Sequence, residues 1–405
     1  MTLLKSFIAK IKDNGIIPIS LMIFSCFFIK GHLPLSLSVL GLVLYSLLFF
    51  SLKKVFTKRD IIFFSIILFY VFIVLSGLWS QDLFYFFQKM NLKSSLLAVA
   101  FSFLFLPDIS LKQFEKLTIA LLVIFVLSSF MVIGIYLKDV QVFSHKIMQG
   151  QPLWVPMRSH IRYGLLLNFC FLLSLYFTSF YHQINKRNSI FYGIIALYLF
   201  VFIHFLSVRS AILAMYITLI CFGVFRVIKT RKIIKASLIM TCIVILSYTM
   251  IIFVPTLSQK IGYMRWDIQE FLTNPTHKYS DGSRWHSIQI GVEIFMKNKI
   301  LGVGEGDMKQ AIVAITGENR GEDVMLPHNE YVYVAASNGF VGLCLFLMII
   351  FASFWVSWNQ KKWLPFAYTA AMCSAFMVEP MLETQIGILV FVVPFCLFHK
   401  IEDLI

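Results

Sequence analysis

The chain has 405 residues, 59% of them hydrophobic and 14% charged, with a mean hydropathy of +0.83 and a formal net charge of +15. An ordinary soluble domain carries about 25% charged residues, so this composition excludes one and indicates a polytopic membrane protein. The positive charge is scattered through short loops instead of gathered in a basic domain, which argues against nucleic acid and for topology signals and anionic membrane lipids.

Apolar windows approaching ~20 residues predict an all-α, polytopic helical membrane protein with about 12 transmembrane helices. They fall at roughly 15–30, 34–52, 60–79, 94–107, 117–136, 162–181, 190–207, 210–228, 235–255, 329–356, 363–379 and 384–399, the fourth being short. The runs are continuous and lack the two-residue alternation of a barrel. Lys5, Lys10 and Lys12 precede the first run, but no small-residue cleavage site occurs before Lys30, so that helix is expected to be retained.

Alternate loops differ sharply in charge. One set carries Lys53, Lys54, Lys58 and Arg59; Lys112 and Lys116; Lys186 and Arg187; Arg226, Lys229, Arg231, Lys232 and Lys235; and Lys361 and Lys362. The opposite short loops are nearly bare, so the positive-inside rule places both termini in the cytoplasm. The outer side then receives loops at roughly 137–161 and 256–328, the second being a large extracytoplasmic loop between helices 9 and 10. There, SRWHSIQIGVEIFMKN puts Trp285, Ile288, Val292 and Phe295 at helical spacing, predicting an amphipathic helix at the interface. GVGEGD (302–307) has no following Lys-Ser/Thr and reads as a turn. The seven cysteines sit in apolar runs without metal-ligand spacing and read as buried small hydrophobes. His277, Asp281 and His286 have no spacing specific to a cation.

Strong polar groups gather on the outer side. MRSHIRYG brings Arg158, His160 and Arg162 to the start of the sixth span, and HFLSVRSAILAMY sets Arg209 between two apolar runs. Arg284 precedes the amphipathic segment, and His328 opens the tenth span. An arginine at membrane depth costs about 3 kcal/mol. Arg158 and Arg284 have two readings, snorkelling to lipid phosphate or binding a ligand. Arg209 has so short a turn that its side chain is expected to point into the bundle. Converging guanidinium groups suit a diphosphate, which they bind in bidentate fashion, and His328 titrates near neutrality and suits proton acceptance from a hydroxyl.

The stretch HNEYVYVAASNGFVG fits the pattern His-Asn, nine residues, Gly-x-x-Gly through His328, Asn329, Gly339 and Gly342. It resembles the O-antigen ligase family of the ligase/polymerase superfamily of bacterial surface-glycan enzymes. LSVRSAIL, GSRWHSIQIGVEIF, LGVGEGD and EPMLETQIG are similar to further segments of that family, and the resemblance covers about 160–390. Residues 1–159 match only in hydropathy, which suggests five N-terminal helices with their outer loop, followed by a ligase-like domain over 160–400.

The resemblance implies a metal-independent inverting glycosyltransferase without a cofactor, in the bacterial inner membrane with its site facing the periplasm. Its donor would be an undecaprenyl-diphosphate-linked glycan. Its acceptor would be a sugar hydroxyl of lipid A-core, completing lipopolysaccharide. His328 would be the base, and Arg209 and Arg284 the diphosphate clamps, with Arg162 and Arg158 as further substrate-binding candidates. Asn329 would orient the loop or bind substrate, and Gly339 and Gly342 would permit close helix packing. Glu379 and Glu383 would tune His328 or bind sugar hydroxyls, against a reading as solvated loop residues. A polymerase of the same superfamily and a protein-directed transferase share the donor chemistry; the chain's end at Ile405, soon after the last span, counts against the protein-directed enzyme. A lipid-linked glycan transporter predicts charges through the depth of many spans, whereas the predicted span interiors are almost uncharged.

Overall fold

The computed structural model describes residues 15–29, 31, 33–51, 55–231, 233–273, 280–317 and 324–402. Lys5, Lys10, Lys12, Lys30, Lys53, Lys54, Lys232 and His277 lie outside them, as do the side chains of Lys235, Cys242 and Asp281. The described helices are α1 (Ile16–Cys26), α2 (Leu33–Leu47), α3 (Ile61–Leu75), α4 (Leu83–Phe105), α5 (Leu111–Lys138), α6 (Val140–Met148), α7 (His160–Tyr181) and α8 (Lys186–Leu206). They continue with α9 (Arg209–Thr230), α10 (Ile233–Phe253), α11 (Pro255–Thr273), α12 (Ser280–Lys297), α13 (Met308–Thr316), α14 (Glu330–Asn359), α15 (Trp363–Phe376) and α16 (Gln385–Phe398). Each of the predicted spans coincides with one of these helices. Among the described residues six helices are individually long and apolar enough to cross a membrane, and the bent pair at Val254, with an angle of 83°, can supply a seventh crossing.

The bundle centres on α16 and α7. Every residue of α16 is buried, as expected of a helix that is apolar all round. Phe398 packs on Phe169 of α7, with ring centroids 5.4 Å apart. Among the basic residues at the helix ends, Arg226 donates to Ser179 at 3.1 Å, and Arg59 pairs with Asp108 at 2.6 Å.

Several details depart from the sequence reading. The fourth span begins not near residue 94 but at Leu83, where the Asp82 carboxylate caps the helix by accepting the Tyr85 N–H at 2.9 Å. That extension carries Lys89 and Lys93 into the bundle, so the span interiors are not almost uncharged. The helix around Arg284 buries Ser287, Ile290, Gly291 and Ile294, with Gly291 set against Val332 and Pro327, while Trp285 and Val292 are exposed. Its packing face is therefore rotated away from the expected one, because Gly291 permits close approach to α14. Cys344 is exposed on α14, unlike the buried Cys26, Cys170 and Cys396.

Residues 302–307 are more than a turn. Gly339 breaks α14 at φ +66°, ψ −167°, a conformation that favours glycine. Backbone N–H groups of Val303 and Gly304 donate to the carbonyls of Ala336 and Ser337 at 3.1 and 2.8 Å, and Phe340 N–H donates to Lys299 at 2.8 Å. A Cβ on Gly339 would collide with the Ile300 backbone, and one on Gly302 with that of Ser337. The loop is thus seated in the helix break, and Gly339 serves loop docking, whereas Gly342 lets Phe72 of α3 approach.

Candidate functional site

At the loop-rich end of the bundle lies a cavity of about 460 Å³. The turn between α8 and α9 brings Arg209, α11 brings Lys260 and α12 brings Arg284. The start of α14 brings His328, the start of α7 His160, and the segment after α15 Glu379. The α8–α9 turn is only Ser207 and Val208, with Ser207 in the left-handed region at φ 55° and its hydroxyl 3.2 Å from that of Thr256. This turn makes Arg209 the first residue of α9. The Arg209 side chain is exposed at the cavity and does not point into the bundle, a correction to the sequence reading. Val208 provides no side-chain cap, so the N-terminal dipole of α9 and the guanidinium reinforce one another as an anion-attracting pair.

His328 is fixed from the neighbouring helix. The Ser287 hydroxyl donates to the Arg284 carbonyl at 2.7 Å and accepts the His328 backbone N–H at 3.1 Å. Toward His328 Nδ1, 3.4 Å away, the same oxygen can then only accept. This assigns the proton to Nδ1 and leaves Nε2 as the basic nitrogen. Burial lowers the His328 pKa to about 4; the charges of Arg284 and Arg162 push the same way, against a hydrogen bond to the Leu326 carbonyl. At pH 7 the ring is neutral and can accept a proton.

Glu379 stands 3.6 Å from Arg284. Burial raises its pKa above the usual carboxylate range despite Arg162 and Arg284. Arg162 is close to the cavity without lining it: its Nη1 donates to Ser159 at 3.1 Å, and its charge acts on Glu379 and Glu330 from behind the wall. Arg158 lines a neighbouring cavity instead. Asn329 is the N-cap of α14, accepting the Val332 N–H at 3.1 Å and donating to Met377 at 3.1 Å, which fixes the strand of chain carrying His328.

Glu383 is not part of the cavity. It is 2.5 Å from Lys89 and 2.7 Å from Lys93, and Lys93 also pairs with Glu305 from the docked loop. Tyr333 and Asn338 donate to Glu305 at 3.0 and 2.9 Å. Burial would raise the Glu383 pKa, but the two lysines overcome it and hold it low. Beside this cluster, the fully buried Glu330 accepts the Leu382 N–H at 2.8 Å.

Sequence reasoning missed Ser287, Lys260 and His160 as cavity or His-fixing groups, and Glu305 as the anchor of the loop. Ser287 was accessible in principle, three residues after Arg284 on one helical face.

Residues 194–347, which include Arg209, Arg284, His328, Gly339 and Gly342, match the family model described as O-Antigen ligase (Wzy_C). A search of curated proteins finds no match. Residues 194–347, with the His-Asn-nine-Gly pattern inside them, are therefore a region of O-antigen ligase type, within the ligase/polymerase superfamily of membrane glycosyltransferases.

Proposed function

We propose that this membrane glycosyltransferase transfers a glycan from undecaprenyl diphosphate to a sugar hydroxyl of lipid A-core at the periplasmic face of the inner membrane. The observation that carries the reading is the meeting of Arg209, Arg284 and His328 in one cavity. The guanidinium groups, with the α9 N-terminus and Lys260, hold the donor diphosphate and take up charge as it departs. His328 Nε2 removes the acceptor's hydroxyl proton. The acceptor oxygen bonds to the anomeric carbon from the face opposite the breaking carbon–oxygen bond, which inverts the centre. Glu379 orients Arg284.

Bound diphosphate also offsets the positive field on His328, raising its basicity when the acceptor is in place. The transporter reading is weakened because the lysines inside α4 are closed by Glu305 and Glu383 and do not line either cavity. A polymerase of the same superfamily would use the same donor groups.

A deletion strain tests the proposal through its lipopolysaccharide and lipid-linked glycan pools. Uncapped core with accumulated long polymer is expected. Core bearing one repeat unit would identify a polymerase, and unchanged pools would reject the transfer reading.

A further inference from the structure

A second cavity, of about 580 Å³, adjoins the first. Its wall is apolar: Phe27, Phe28 and Ile29 after α1, Ile135 of α5, Phe143 of α6, and Trp154. Two cations lie on its lining, Lys146 and Arg158, and no carboxylate does. The Lys146 ammonium stands over the Phe143 ring, 5.6 Å from its centroid. An apolar trough with cations and no acid is complementary to an amphiphile with an anionic head. Trp154, 41% exposed, and the exposed Val140, Val142 and Met148 on α6 give this region the character of a membrane interface.

The two cavities share a wall. Gln151, Pro152, Leu153 and His160 line both. A transfer between two lipid-borne substrates requires two adjacent berths, one for each lipid, separated by little more than the reacting groups. The first cavity has the arginines and His328; the second has an aromatic-lined trough and its own cations.

We propose that the second cavity binds the acceptor as a phosphorylated glycolipid. Its hydrocarbon lies along Phe27, Phe28, Ile135 and Phe143, and its phosphate meets Lys146 and Arg158. Its sugar passes the 151–153 wall toward His328. This inference rests on the transfer reading above, but the binding it asserts is measurable without turnover.

The test uses full-length protein in neutral-lipid nanodiscs, wild type and K146E/R158E, with a phosphorylated lipid A-type glycolipid and its dephosphorylated form as probes. Wild type is expected to bind the phosphorylated probe about tenfold more tightly than the double variant does, and to bind the dephosphorylated probe weakly. In turnover, the variant's KM for acceptor rises about tenfold while its KM for donor stays within about twofold. Equal binding of the phosphorylated probe by both proteins overturns the proposal, even if transfer is intact. So does an equal rise in donor KM, which would make the cavity part of the donor site. Displacement of the probe by an equimolar anionic phospholipid overturns it too, by assigning the trough to bulk lipid. To cover a misfolded double variant, F143A, which keeps both cations, should weaken both probes alike, and an unchanged affinity there counts against the trough.

Discussion

Two charged regions lie toward the same loop-rich end of this bundle, and they are built on opposite terms. The cluster of Lys89, Lys93, Glu305 and Glu383 is closed and charge-balanced, with Lys93 and Glu305 at 1% and 0% exposure. The cavity is open, and Arg209, Lys260 and Arg284 outnumber the one carboxylate, Glu379, that lines it with them. Buried charges that satisfy one another tie segments together, and here they join α4, the docked loop and the segment before α16. Charges that line an open cavity face space that a ligand can enter. The difference teaches that burial alone does not mark the chemistry; charge lining accessible space does.

The sharpest way to break the comparison is at His328. H328A should fold and insert as wild type yet lose at least about 10³-fold in transfer rate, because the general base is gone while the packing around Ser287 remains. Retained activity would remove the base assignment.

In the cluster the order of effects reverses. K93M should destabilise by about 3–5 kcal/mol, read as a loss of detergent-solubilised folded protein, since it strands Glu305 and Glu383 without their shared cation. K93M/E305Q should recover part of that loss, and turnover per folded molecule should change little. Independent, additive losses would show that the cluster is not a unit.

R209K should reduce transfer about 100-fold with stability unaltered, because an ammonium cannot reproduce the bidentate fork at the α9 terminus. Wild-type rate in R209K would make this arginine structural. S287A is smaller again, at about tenfold in kcat, and S287T should restore most of it, because the role is to hold Nδ1–H and so the tautomer.

The pH profile sharpens the same point with the least perturbation. The acidic limb of kcat/KM reports free His328 and should fall near pH 4, while that of kcat should lie higher, because bound diphosphate offsets Arg284 and Arg162. Coincident limbs would mean the diphosphate is not beside His328. The sign for stability follows from the same shift: the folded pKa lies below the ordinary 6.5, so the unfolded chain takes up the proton first. The His328 contribution is complete above pH 6.5, declines as pH falls toward about 4, and is absent in H328Q.

Much of this was legible in the sequence. The helices followed from apolar windows, because lipid demands continuous apolar runs, and Arg209, Arg284 and His328 stood out as polar groups beside such runs. The opening turns of α4 were hidden for the same reason: Lys89 and Lys93 depress any hydropathy window, and only the distant Glu383 and Glu305 make their burial possible. The pairing of Glu305 with Lys93 spans 212 positions, and no local pattern announces it. Arg158 and Arg162 sit on one short motif, yet the start of α7 directs them to different surroundings. Glu379 and Glu383, four residues apart, likewise part company, one to the cavity and one to the cluster.

The break at Gly339 also sets an order of assembly. Val303 and Gly304 take their hydrogen-bond acceptors from Ala336 and Ser337, residues that are synthesised later. Until that part of α14 has emerged from the ribosome and entered the membrane, the loop lacks its seat, and Glu305 has neither Tyr333 nor Asn338 to receive. The half of α14 that follows His328 and the loop that precedes it therefore mature together. A nascent chain halted before residue 336 would have its earlier helices in place and the 302–307 segment still undocked, so the surroundings of His328 reach their finished shape in one late step.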